Sequence, residues 1–277
     1  MKAIEIEGFG RVEPNTGFAL AVFGPEGSGK TRLLAQAQAE AFMEDMETGV
    51  IVLDAKTRDT LKKECDELGV PMPLTNKKDY VTPQDAMRIA LIDEASVDGI
   101  KEIKKFYEGV VAKIYADAVK LAGHSKILTV SVDPFTELYD YMFFEAFGRK
   151  TQIGQLSRYA VNQHVIDFIK SIRHKNVILT HRESAVYGDK GKRDKVTNEV
   201  VKEDTGRKKL QGYNDIGYQV SAIVQLKVNR AASAKSKWAA EVQTAQLAPY
   251  LESDKEYLTD EEITWTRLKE DLWPREK

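Results

Sequence analysis

The sequence predicts an α/β fold, a mainly parallel β-sheet flanked by helices, and three observations predict it. Short apolar, β-branched segments alternate with longer stretches of helical periodicity, the order that parallel strands need because each crossover must return over the face of the sheet. The first apolar segment, residues 18–23, runs directly into a glycine-rich stretch, residues 24–31, with a helical pattern behind it. The chain has 277 residues, 42% hydrophobic and 30% charged, with no low-complexity linker or fixed repeat, so it can bury one large core.

Taken in order, residues 18–23 read as a buried strand and residues 29–46 as the helix after it, ending near Gly49. A second strand covers residues 50–54 and a helix residues 57–68, and Pro71 and Pro73 break the pattern that follows. Thr82, Pro83 and Asp85 form a helix-start signature for residues 83–96, and a further helix is expected over 98–122. Residues 127–132 make a β-branched strand closed by Asp133-Pro134; 161–172 are helical, and 176–180 and 221–228 are strands. Residues 185–215, charged and punctuated by glycine, read as a long loop. Thr259 and Glu262 form a capping box before a short amphipathic helix carrying Trp265 and Leu268. The expected division is a core over residues 1–230 and a C-terminal extension over 231–277.

Composition excludes some classes. No run of about 18 apolar residues exists, so no helical membrane span or membrane partner is expected. The first residues include acid and lack a signal peptide's apolar centre, and the one cysteine, Cys65, cannot form an internal disulfide, which together read as a reduced, cytoplasmic protein. The net charge of −2 does not by itself advertise a nucleic-acid partner.

The glycine-rich stretch is Gly24-Pro25-Glu26-Gly27-Ser28-Gly29-Lys30-Thr31, followed by Arg32. It fits the phosphate-binding loop pattern G-x-x-x-x-G-K-[ST]. Phosphate oxygens need several donors converging from one side, and glycines let backbone N–H groups turn inward to supply them. Lys30 would add a cation at the β and γ phosphates, Thr31 a hydroxyl for magnesium, and the helix its positive end. ATP and Mg2+ are the cofactors this predicts. A second acid should sit at the end of a neighbouring strand to hold the magnesium. Asp133 ends an apolar run of the right length, while Asp93 and Glu94 follow a similar run that helical spacing assigns to the surface of a helix; Asp133 is the favoured one.

With these pieces in place, the sequence resembles a RecA-type ATPase core, and in particular the compact phage RecA-like ATPases linked to single-strand annealing and recombination. Four segments carry the likeness in family order, residues 24–31, 127–140, 176–184 and 210–230, and the first is the specific one. The likeness implies a RecA-like P-loop fold, ATP hydrolysis at subunit interfaces in a homo-oligomeric ring or filament, and single-stranded DNA as partner. It also implies a possible single-strand-binding or recombination protein as a further partner, and host cytoplasm as the location if the chain is phage-encoded. It gives Asp133 the magnesium-side role, His181 the place of a polar γ-phosphate sensor, and Lys227 and Arg230 the places of cations offered to a neighbouring subunit's nucleotide. One departure stands out: the position after the second strand where the family carries a water-polarising glutamate holds Lys56. Asp54 is the nearest acid and is the expected substitute, with Glu94 as an outside candidate; without either, hydrolysis would be slow and the chain would act as an ATP-gated switch.

The stretch corresponding to the family's DNA-contacting loop carries Lys190, Lys192, Arg193, Lys195, Lys202, Arg207, Lys208 and Lys209, flanked by Tyr187 and Tyr213. Cations on such a segment bind phosphate backbones, and tyrosines stack on unpaired bases; a solvated charged loop is the plainer alternative. A second cluster from Arg230 to Trp238, with Lys235 and Lys237, could extend that surface. A DNA-dependent ATPase is therefore the leading expectation, beside a helicase or motor core, a small-molecule kinase with the basic segment as lid, and a nucleotide-dependent scaffold.

Overall fold

The computed structural model describes residues 17–148, 158–193, 200–229, 237–245 and 256–273. Alternation along the first strand, β1 (Ala19–Phe23), sets the architecture. Ala19, Ala21 and Phe23 face one apolar layer and Phe18, Leu20 and Val22 the other, so both faces of the sheet are covered. The remaining strands of the large sheet are β2 (Glu47–Val52), β3 (Leu74–Thr75), β4 (Ile127–Asp133), β5 (Asn176–His181), β8 (Ala222–Val228), β9 (Trp238–Ala245) and β10 (Glu256–Tyr257). Their spatial order is β10-β9-β8-β1-β5-β4-β2-β3. The pairings from β8 through β3 are parallel, and β9 and β10 add an antiparallel margin.

One layer holds α4 (Val97–Gly123), α5 (Phe135–Phe147) and α6 (Tyr159–Ile172), packed through Ile103, Ile114, Phe135, Leu138, Val165 and Phe168. The other holds α1 (Lys30–Met43), α2 (Ala55–Leu68) and the C-terminal α7 (Trp265–Leu272), packed through Leu33, Leu34, Leu61, Cys65, Trp265 and Leu268. Each such fully buried side chain contributes about 1.5–3 kcal/mol. The fold is thus the expected α/β one, a mainly parallel sheet covered by helices on both faces. Among the described residues no helix is long and apolar enough to cross a membrane.

Several expectations are corrected. Residues 185–215 are not a long loop: β6 (Glu183–Arg193) and β7 (Val200–Leu210) form a separate two-stranded antiparallel sheet. The helix expected over 83–96 is shorter, α3 (Pro83–Ala90); its capping box forms as expected, but Leu91 ends it, leaving Asp93 and Glu94 exposed in a turn before α4. The Thr259–Glu262 box also forms, yet it closes a turn, and α7 starts later at a second cap, with Thr264 Oγ1 accepting from the Arg267 N–H at 3.2 Å. Beyond residue 230, β9 and β10 belong to the large sheet. Helix α7 is tied to α1: the indole N–H of Trp265 and the ammonium of Lys269 both donate to the Glu40 carboxylate.

Candidate active site

Parallel strands deliver their carboxyl ends to one margin of the sheet, and there the loops after β1, β2, β4 and β5 surround a cleft of about 540 Å3. Residues 24–32 form its floor; Asp54, Lys56, Thr57, Thr60, Glu64, Asp133, Pro134, Arg182, Glu183, Lys237 and Trp238 complete its walls.

The loop's shape needs glycine at two places. At Gly24 a Cβ would lie 2.3 Å from the Leu226 carbonyl oxygen, so only glycine allows β1 to pass that close to β8. Gly29 caps α1 with φ 92°, in the left-handed region. This cap has no side-chain hydrogen bond, and the first turn of α1 has no acid. Its amide hydrogens therefore face the cleft with the helix dipole's positive end behind them, the electrostatics of an anion site. Lys30 Nζ donates to the carbonyl oxygens of Gly24 at 2.6 Å and Pro25 at 2.8 Å, drawing the loop into a ring. Burial holds this ammonium's pKa below the usual lysine value, while the nearby Asp133, Glu183 and Glu26 carboxylates oppose that shift.

Asp133 is buried at the end of β4. Thr180 Oγ1 of β5 donates to its Oδ1, and Thr31 Oγ1 of α1 donates to its Oδ2 at 3.4 Å. Burial raises the carboxyl's pKa, and the two hydroxyls and Lys30 partly counter it. The donor set decides what metal fits. Among the described residues no group of three acidic, histidine or cysteine side chains surrounds a common point. The adjacent Thr31 hydroxyl and Asp133 carboxylate supply hard oxygens and little else, which suits a magnesium ion that takes its other ligands from phosphate and water.

The other expected site residues fall in different places. Asp54 reaches the cleft wall but is the N-cap of α2, its Oδ1 accepting the Lys56 N–H at 3.0 Å. Glu94 is not among the cleft residues. His181 is not brought to the wall either. Neighbouring residues on a strand point to opposite faces, so with Thr180 turned to Asp133, His181 turns into the opposite layer. There it is fully buried beside the Phe135 ring, its Nδ1–H donating to the Gln211 carbonyl oxygen at 3.2 Å. The residues this strand does deliver are Arg182 and Glu183, which sequence reading passed over. Lys227 is held by the carboxylates of Glu241 and Glu256 on the antiparallel margin. Arg230 lies outside the described residues, as do Lys195 and Lys235.

Trp238 was expected on a nucleic-acid surface, but it sits on the phosphate loop. Its indole N–H donates to the Gly27 carbonyl oxygen at 3.0 Å, and the Arg32 guanidinium lies 4.7 Å from its ring centre. No sequence signal joins residue 238 to residue 27; the β8–β9 pairing brings them together.

His181 carries a pH prediction. Burial depresses its pKa from the ordinary 6.5 to about 3, so the folded chain keeps the ring neutral where the unfolded chain protonates it. This imposes no cost above about pH 7, and stability falls as pH drops from 6.5 toward 3, by up to about 1.4 kcal/mol per unit. Urea unfolding at pH 7.5 and pH 5.0 should show a loss smaller by about 2 kcal/mol in His181→Leu than in the parent chain. Equal losses in the two would remove His181 as the cause.

The main-chain neighbours of His181 join the cleft to the hairpin. The Gln211 N–H donates to the Arg182 carbonyl at 2.9 Å, the Arg182 N–H donates to Thr136 Oγ1 at 3.0 Å, and Glu183 pairs with Leu210 as the first rung of β6 and β7. Farther out, Tyr187, Arg207, Lys208 and Lys209 are exposed, with Lys208 3.7 Å from the Asp204 carboxylate. Lys190, Lys192, Arg193 and Lys202 lie on the same two strands.

No family model matches the sequence, and no curated protein matches it. Among solved structures, the chain is similar to the RadB recombinase, with 14% identity over 87% of this chain and 86% of that one and a TM-score of 0.45. It is also similar to a KaiC-like protein from the hyperthermophilic archaeon Pyrococcus horikoshii OT3, with 15% identity over 87% and 85% and a TM-score of 0.43. Strand order and the loop between β1 and α1 describe a parallel α/β core with a phosphate-loop motif, in which β5 lies between the loop-bearing strand and the strand that ends in Asp133.

Proposed function

We propose that the chain is a magnesium-dependent ATPase that binds single-stranded DNA, acts in recombination or strand annealing, and assembles on DNA under the control of ATP. The observation that carries this reading is the direct attachment of a basic, aromatic-bearing hairpin to the wall of a phosphate-binding cleft. Lys30 and the amides of residues 27–32 would hold the β and γ phosphates, and Thr31 and Asp133 would hold the magnesium, which would supply charge neutralisation on the phosphates. Lys30 adds a fixed charge where negative charge grows on the leaving phosphate, and the loop's geometry positions that phosphate without reorganisation.

The hairpin supplies the nucleic-acid part. Arg207, Lys208 and Lys209 give cations to phosphates, and the exposed Tyr187 gives a ring on which an unpaired base stacks. Assembly as a ring or filament, with a single-strand-binding or recombination protein as further partner, belongs to the same reading.

Phosphate release from MgATP, with and without single-stranded DNA over a range of salt, tests it. Stimulation by DNA that fades with salt is expected. Replacing Arg207, Lys208 and Lys209 together with alanine should weaken DNA binding at least tenfold and flatten the log–log salt slope by about 2. Turnover indifferent to DNA, with phosphate passed to a small acceptor, would replace this reading with the kinase one.

A further inference from the structure

We infer that Glu183 is the carboxylate that takes the proton from the attacking water, an assignment that rests on the ATPase reading above. After β2 the chain reads Leu53-Asp54-Ala55-Lys56, with no glutamate. Of the carboxylates that line the cleft, Asp133 is buried and bonded to two threonine hydroxyls. Asp54 is committed to the first turn of α2, where such a cap is worth about 0.5–2 kcal/mol. Glu64 lies ten residues farther along that helix, about 15 Å away by helical rise, at the outer end of the wall. Glu26 is exposed on the phosphate loop.

Glu183 differs from all of these. It is half-buried in the cleft wall formed by the end of β5, and its negative charge, like those of Asp133 and Glu26, acts on the Lys30 ammonium. Among the described residues its carboxylate makes no hydrogen bond or ion pair; the adjacent Arg182 guanidinium is instead engaged by Glu137. The acid that the second strand lacks is thus supplied from the opposite wall. Glu183 is also the first residue of β6 and pairs with Leu210, so the position of its carboxylate is tied to the hairpin.

The chemistry balances with the chain's own groups. The water oxygen forms a bond to the γ-phosphorus while the bond from phosphorus to the β–γ bridging oxygen breaks. The water proton passes to Glu183, ADP leaves with the electron pair, and the proton returns from Glu183 to bulk water as phosphate departs.

The test is a comparison of Glu183→Gln, Glu183→Asp and Asp54→Asn with the parent chain. Phosphate release gives kcat from pH 5 to 9, and the fluorescence of Trp238, bonded to the phosphate loop, gives ATP affinity. Glu183→Gln is expected to lower kcat at least about 100-fold with ATP affinity within about twofold. Glu183→Asp, which keeps the carboxylate, should show a smaller loss. Undiminished turnover in Glu183→Gln, or a collapse confined to Asp54→Asn, overturns the assignment. If the parent chain shows no turnover that Lys30→Ala removes, the ATPase reading fails and this assignment fails with it.

Discussion

Replacing Lys30 with alanine is expected to lower ATP turnover by about 100- to 1000-fold and to weaken ATP binding as well. The first effect follows from charge: a fixed cation at a developing phosphate charge contributes about 2.7–4 kcal/mol in a water-poor site. The second follows from architecture, since Lys30 Nζ bonds the carbonyls of Gly24 and Pro25 and so holds the ring into which phosphate fits. Lys30→Met separates the two roles from simple packing, because it keeps the apolar stem and removes only the ammonium. Both variants should fail in steady-state phosphate release and in equilibrium nucleotide binding. Turnover in Lys30→Met above a tenth of the parent value would mean that the loop works without its cation.

Asp133→Asn is expected to lower turnover about 100- to 1000-fold and to raise the magnesium concentration needed for half-maximal rate, while leaving the fold intact. The carboxamide has the shape of the carboxylate and can still accept from Thr180 Oγ1. It lacks the charge that burial already makes costly, the reason the native carboxyl's pKa is raised. Thermal stability should therefore be unchanged or slightly higher, the opposite of what a purely structural aspartate would give. Asp133→Ala should behave differently. It leaves the Thr180 hydroxyl buried without that partner, at a cost of about 1–3 kcal/mol, so it should lose stability and turnover together. Measuring the melting temperature beside the magnesium titration distinguishes these outcomes.

Much of this architecture is written in local patterns. β1 and β4 are short and apolar, β4 rich in β-branched residues, and the helix start at Thr82 is signalled by a pair three residues apart. The phosphate loop is legible because its chemistry is carried by contiguous residues, 24–31. The hairpin was hidden for a physical reason. Among the described residues of the two strands, 187 and 204–209 are exposed and only Leu210, at the end of β7, is buried, so no apolar alternation marks them and they read as charged loop. The walls of the cleft were hidden for another. His181 and Glu183 differ by two residues in sequence, but strand alternation and the turn into β6 decide which faces the cleft, and that direction depends on the whole sheet. Trp238 reaches the loop only because β9 folds back beside β8, a pairing between segments that no spacing rule connects to Gly27.

The measurement that bears most directly on the central claim is a calorimetric titration of the parent chain with ATP, with and without magnesium. The cleft described here predicts one nucleotide per chain and tighter binding with the ion, since Thr31 and Asp133 engage it beside the phosphates. Absence of binding for ATP and for every other nucleoside triphosphate, by a chain shown to be folded, would contradict it.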